Sequence, residues 1–280
     1  MRQNHSEQVH IASRLFVQEH CRIHYPYMLQ NHISLQTGFQ HVLPENMQEA
    51  VNSFVSKATK GNVPTLIDEE AKNFPVILAN ALYFEMRFQN VFYNTNPALF
   101  YAADGSTKEV PTMTGKQTGH YIQTSSFVYG DMPFESSHFS FFVVVPQGEH
   151  TLCDVMANLT FSKLIKNAPE KQAMIFRIPT INIDFSANLK DVLTKSGVEK
   201  LFSEQADLSH MTSSKINVRD IVHKAKFELD ENGVKAVAAT EPVFVFYKGP
   251  STPDLQIKAN RPFLFGVTYK STPLFIGMYT

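Results

Sequence analysis

IVHKAKFELDENGVKAVAAT, residues 221–240, holds two unlike halves. Across 221–230 the side chains alternate. Ala225, Phe227 and Leu229 point one way, and Lys224, Lys226, Glu228 and Asp230 the other. A period of two marks a strand with one buried face. From Glu231 the alternation stops. ENGVKAVAAT is made of small residues, charged only at Glu231 and Lys235, with no bulky core side chain. Such a stretch has neither the packing volume of a core strand nor the polarity of a surface loop. On composition alone it reads as a surface loop with an Ala-rich stem. Beyond it lie Pro242, the apolar run VFVFY (243–247) and the turn-rich KGPSTP (248–253).

The flanking sequence predicts an α+β protein with sheets dominating its C-terminal half. Residues 9–17 (VHIASRLFV) read as a strand. Residues 25–37 read as a short helix with Pro26 at its start and Gly38 as its stop. Residues 44–59 give the clearest helix. Met47, Val51, Phe54, Val55 and Ala58 share one face, Pro44 opens it and Gly61 follows its end. VILANALYF (76–84) and FSFFVVV (139–145) are continuous apolar runs of strand length, suited to strands covered on both faces. Around 181–185, Ile181, Ile183 and Phe185 alternate with Asn182 and Asp184. Ser186 is placed to cap a helix through Leu189, Val192 and Leu193 that Gly197 ends. Residues 263–269 and 274–278 read as a closing pair of strands. With no repeat, low-complexity tract or linker, residues 1–280 read as a single domain.

In this company the 221–240 segment resembles the serpin family. It is similar to the fifth strand of the family's central sheet running into the hinge of its reactive loop. VHIASRLFVQ (9–18) resembles that sheet's second strand, PENMQEAVNSFVSKATKG (44–61) the helix crossing its face, and VILANALYF its central strand. ADGSTKEVPTM (103–113) and FVVVPQG (142–148) resemble segments further on, and NRPFLFGVTYKSTPLFIGM (260–278) the C-terminal strand pair. The matches come in the family's own order and run from about Val9 to the end of the chain.

The resemblance implies a serpin fold: three β-sheets with helices around them and an exposed reactive loop. It implies a suicide inhibitor. A target serine protease attacks the loop and is held as an acyl-enzyme while the cut loop inserts into the central sheet. The hinge would comprise Glu231, Gly233, Val234, Ala236, Ala238, Ala239 and Thr240. Counting from Gly233, the inward set Val234, Ala236, Ala238 and Thr240 is compatible with burial, while Lys235 falls outward. Pro242 lacks an N–H and disfavours a central strand. The residue before the cleaved bond lies about fourteen positions past the hinge glycine in the family. That gives the bond Tyr247–Lys248 (247 − 233 = 14), or Lys248–Gly249 if the loop is one residue longer. Tyr247 suits a chymotrypsin-like target and Lys248 a trypsin-like one. Asn80 and His223 match residues of the region where the sheet opens. Phe88 stands where the family usually has Trp, so it keeps an aromatic ring but loses an indole N–H.

The family's N-terminal helices and first strand have no counterpart before Val9. The expectation is therefore a partial serpin domain with an exposed sheet face open to self-association. A non-inhibitory serpin-fold binding or scaffold protein, or an inactive truncated serpin, is the alternative function. The family favours an extracellular setting. Residues 1–10 carry no signal-peptide core, and a cytoplasmic one is left open. The sequons at Asn4 and Asn158 are acceptor sites for N-glycosylation.

Composition narrows the rest. The chain carries 25 Lys and Arg against 26 Asp and Glu, a net charge of −1, so nothing in it calls for nucleic acid. It has no apolar run long enough for a membrane span. Two cysteines, Cys21 and Cys153, are too few for a disulfide framework, and no Cys/His spacing suits zinc. No GxSxG, HExxH or phosphate-binding glycine loop is present, and His120, His138 and His210 have no partner pattern. The reading is a non-enzyme without metal or cofactor. There are 23 Phe and no Trp, so Phe must supply the bulk of any aromatic core.

Overall fold

The apolar face of residues 44–59 organises the first part of the molecule. The structure, a computed structural model, describes residues 8–35, 37–69, 73–160, 164, 169–218, 221–234 and 255–280. Two compact units result: Gln8–Phe84 with Ile183–Lys226, and Glu85–Asn182 with Phe227–Thr280.

In the first unit, β1 (Gln8–Gln18), helix α1 (Tyr25–Leu35) and β2 (Gly38–Val42) come first. A 3₁₀ turn at Pro44–Asn46 then leads into α2 (Met47–Ala58). β1 and β2 are parallel, from Arg14 opposite Gly38 to Gln18 opposite Val42. Met47, Val51 and Val55 of α2 are buried against Phe16, Ile77 and Ala79. The Phe54 ring meets Phe16 edge-on at 5.6 Å, and the Arg14 guanidinium lies 4.4 Å over the other partner, Phe54. Thr59 ends the helix by donating its hydroxyl to the Val55 carbonyl at 2.8 Å. The opposite side of β1 is covered too. Val17, Cys21 and Ile23 pack with Val76 and Met211, joined by Tyr27 and Met28 of α1. Cys21 is a buried free thiol, its pKa raised by burial against a hydrogen bond from Ser214, and Cys153 is free and exposed.

The remaining strands with residues in this unit are β3 (Val76–Arg87), β10 (Ile181–Asn188) and β11 (Ile221–Asp230). Between β10 and β11 lies α4 (Lys190–Lys195). β3 and β11 are parallel neighbours, from Ile221 opposite Leu78 to Ala225 opposite Leu82. The strand expected at 76–84 is thus three residues longer. Its expected open face is graded: Val76 is buried, Leu78 and Asn80 half-buried.

Two stop signals differ from the sequence reading. Gly38 does not cap α1; it begins β2 and is spaced against the Arg14 side chain. Ser186 does not cap α4; it lies inside β10, which runs on to Asn188. The Asn188 side-chain oxygen accepts from Lys190 N–H at 3.0 Å instead. Gly197 follows the helix at φ 96°, as a C-terminal glycine should.

The second unit is built on phenylalanine. One sheet runs β13 (Leu255–Lys258), β9 (Gln172–Pro179), β5 (Thr107–Gly119), β4 (Asn94–Tyr101). The other runs β15 (Thr272–Tyr279), β14 (Phe263–Tyr269), β8 (Phe139–Pro146), β7 (Phe127–Pro133), β6 (Tyr121–Gln123). Phe88, Phe134, Phe141, Phe176, Phe227, Phe263 and Phe265 are all essentially inaccessible. Helix α3 (Leu152–Asn158), which the sequence reading did not foresee, opens with a reciprocal Thr151–Asp154 cap.

His120 also gains a partner that no spacing announced. Its Nδ1 meets Asp131 Oδ2 at 2.8 Å, its backbone N–H donates to Asp131 Oδ1 at 2.8 Å, and Tyr129 donates its hydroxyl to Asp131 Oδ2 at 2.9 Å. Asp131 is buried. Burial and that carboxylate hold the Tyr129 phenol far above the ordinary tyrosine range.

Candidate functional site

At the end of β11 the chain reverses in three residues. Asp230 makes this local: its side-chain oxygen accepts from Asn232 N–H at 2.8 Å and from Gly233 N–H at 3.3 Å. An Asp folding back on the backbone two residues ahead is a common way to drive a turn. The next strand, β12, is only Gly233–Val234. It lies between the ends of β11 and β3, antiparallel to both. Val234 stands opposite Leu229 on one side and Met86 on the other; Gly233 stands opposite Asp230 and Arg87.

Gly233 has φ 145° and is buried. A Cβ here would sit 2.2 Å from the Met86 carbonyl oxygen and 2.8 Å from Arg87 Cα. Both the conformation and the space exclude a side chain. Val234 is 1% exposed. Glu231 is exposed, and its carbonyl accepts from Phe92 N–H at 2.9 Å, while the Asn232 carbonyl accepts from Phe88 N–H at 2.8 Å. The segment after β3 therefore clamps the turn through backbone bonds.

Phe88 anchors that clamp. It stacks on Phe134 with centroids 5.1 Å apart and 2° between planes, and meets Phe92 and Phe141 edge-on. With its ring fully surrounded by apolar rings, an indole N–H at this position would need a partner that these rings do not offer.

Asn80 and His223 stand directly opposite each other on β3 and β11. Asn80 donates to Ser13 Oγ at 2.7 Å, and the His223 ring lies 6.4 Å from that of Phe185. Asn158 is the exposed last residue of α3, its amide donating to the Asp154 carbonyl at 3.0 Å. Ala236, Ala238, Ala239, Thr240, Pro242, Tyr247, Lys248, Gly249 and Asn4 lie outside the described residues. Sequence reasoning missed Asp230, Ser13, Met86 and Phe92. Only Asp230 had a local signal, an Asp three residues before a Gly.

The family model described as serpin (serine protease inhibitor) matches residues 1–280, and the chain belongs to the serpin family. It is 30% identical over 245 residues to the plasma serine protease inhibitor of Bos taurus, an alignment spanning 85% of this chain and 60% of that protein. The chain thus covers about 60% of the length of such relatives. The fold is similar to that of native tengpin, a thermophilic serpin, with TM-score 0.89, 20% identity, and 98% of this chain and 74% of that one covered. It is also similar to thyroxine-binding globulin in complex with thyroxine, with TM-score 0.84, 22% identity, and 99% and 76% covered. The fold is therefore the serpin fold.

Proposed function

We propose that the chain is a suicide inhibitor of serine proteases. Its loop would follow Val234, and the cut loop would enter the sheet by extending β12 between β11 and β3. The observation that carries this is the register. In β12–β11 pairs the residue numbers sum to 463 (229 + 234, 230 + 233), and in β12–β3 pairs to 320 (86 + 234, 87 + 233). Their difference, 143, is the offset of the β3–β11 pairs themselves (221 − 78). A growing β12 would find its two neighbours already aligned. They would need to part sideways, not slide.

The residues that would land in that slot suit it. Ala236 would stand between Phe227 and Phe84, so a small side chain meets two large ones. Ala238 would stand between Ala225 and Leu82, and Thr240, the polar member of the set, between His223 and Asn80. On the outward side Lys235 would stand between Glu228 and Glu85, opposite charges on both flanks. Pro242 would fall between Ile221 and Leu78, the last pair of the ladder, where a missing N–H costs one bond and interrupts least.

The test is to mix the chain with chymotrypsin and run a denaturing gel. A covalent band of summed mass is expected, with cleavage after Tyr247. Cleavage after Lys248 by trypsin would move the reactive bond one residue on, and Tyr247→Arg is expected to shift inhibition from chymotrypsin-like to trypsin-like enzymes. Two fragments with no covalent band would leave the second reading, a non-inhibitory serpin-fold binding protein. The one ladder bond that Pro242 would cost favours that reading, and thyroxine-binding globulin shows the same fold holding a small ligand.

A further inference from the structure

The outer face of the β13–β9–β5–β4 sheet carries charge of one sign. Met174, Phe176 and Ile178 of β9 and Ile257 of β13 are buried. Alternation therefore turns Arg177 and Lys258 the other way, and both are exposed. They stand directly opposite each other on neighbouring strands. Like charges so placed repel, and neither side chain meets a carboxylate among the described residues. On the other side of β9, Arg177 is opposite Thr114 of β5, and Lys116 lies two residues on in the same phase. With strands ~4.8 Å apart and ~3.4 Å per residue, the three cations span about 12 Å. The single acid of the four strands, Glu109, is about 17 Å along β5 from Thr114.

The Arg177–Lys258 pair repels itself, stays unneutralised and contributes no packing, so it breaks a local rule without a structural return. An anion with several charges would settle it. Beside the cations lie hydroxyl and amide side chains: Thr114 opposite Asn94 of β4, and Gln256 in phase with Lys258. Such groups bond to sugar hydroxyls. No exposed aromatic ring stands among them for a nucleobase to stack on. Three cations are few for the backbone of a duplex, and no large apolar side chain is exposed among them to enter a bilayer.

We propose that this face binds a sulfated polysaccharide lying across the strands. Arg177 takes a sulfate through its planar fork, Lys258 and Lys116 take others, and Thr114, Asn94 and Gln256 meet the sugar hydroxyls. The site stands independently of the inhibitor reading above.

The experiment titrates the full chain with a heparin oligosaccharide at low salt and repeats the titration on the Arg177→Gln/Lys258→Gln double variant. The parent is expected to bind, less tightly as salt rises, and the double variant to bind about tenfold more weakly. Without ligand, the variant is expected to melt at or above the parent's temperature, since the repulsion is gone. The desulfated oligosaccharide is expected not to bind. No binding by the parent, or a variant affinity within about twofold of the parent's, overturns the proposal. A variant that melts below the parent would show the two cations to be structural, and overturns it as well. Equal binding of duplex DNA or of phosphatidylserine vesicles would show a general anion surface, and that result also overturns it.

Discussion

Gly233 carries two constraints at once, a positive φ and a carbonyl oxygen 2.2 Å from where a Cβ would stand. Gly233→Ala is expected to cost about 1–3 kcal/mol, seen as a lower melting temperature, and to shift protease reactions from covalent complex toward cleaved product. Tyr129 makes a different prediction. Burial first, then Asp131, raises its pKa, so the folded state keeps a proton that the unfolded chain releases near pH 10. That contribution is fully present below about pH 10 and falls by at most ~1.4 kcal/mol per pH unit above it. Tyr129→Phe is expected to flatten the decline seen in urea titrations between about pH 9 and 11, while costing about 1.5–3 kcal/mol at neutral pH, because the bond it removes is made to a carboxylate. Of these two sites only Gly233 was read from the sequence, through the likeness of 221–240 to the family's hinge; Asp230, three residues before it, carried a local signal that was missed. His120 and Asp131 are eleven apart and meet only through the β5–β6–β7 reversal, which spacing does not encode.

Strands and helices were read well where their periodicity was strong. The α2 face and the β11 alternation needed no tertiary information, since one repeat alone fixes which side is buried. Ends were read less well. Ser186 looked like a cap because a polar residue precedes an apolar run, but sheet pairing carried β10 through to Asn188. Phe185, grouped on one side with Ile181 and Ile183, is 49% exposed where Ile181 is buried, and it lies beside the His223 ring. Edge position overrode the pattern. The β12 register yields the sharpest test at this level. Ala238 falls on the inward parity and Ala239 on the outward one. Ala238→Glu is expected to leave melting unchanged yet reduce covalent trapping severalfold, because an unpaired carboxylate would have to enter the sheet. Ala239→Glu is expected to trap like the parent. Equal behaviour of the two on a denaturing gel would contradict insertion in this register.

At the scale of the molecule, the order of segments along the chain was enough to place the family, and family sheets then follow. What the sequence could not supply was the alignment of β3 with β11, residues about 140 apart, because it depends on everything folded between them. That shared offset has a consequence for how change in the hinge is read. A strand has two faces, so its sequence is parsed in steps of two, like a text with a reading frame. Asp230 and Gly233 set the frame. Removing Asn232 would leave the composition of 233–242 untouched and still move every following residue to the other phase. Lys235, Val237, Ala239 and Glu241 would then present themselves to the interior, and Ala236, Ala238 and Thr240 to solvent. The expected outcome is a chain that loses trapping as completely as one carrying two buried charges, although no residue of the loop has been altered. Restoring the frame by an insertion between Val234 and Lys235 should return Ala236, Ala238 and Thr240 to the inward phase, and gel-resolved covalent complex with them. A loop tolerant of such shifts would have to be read in some other way.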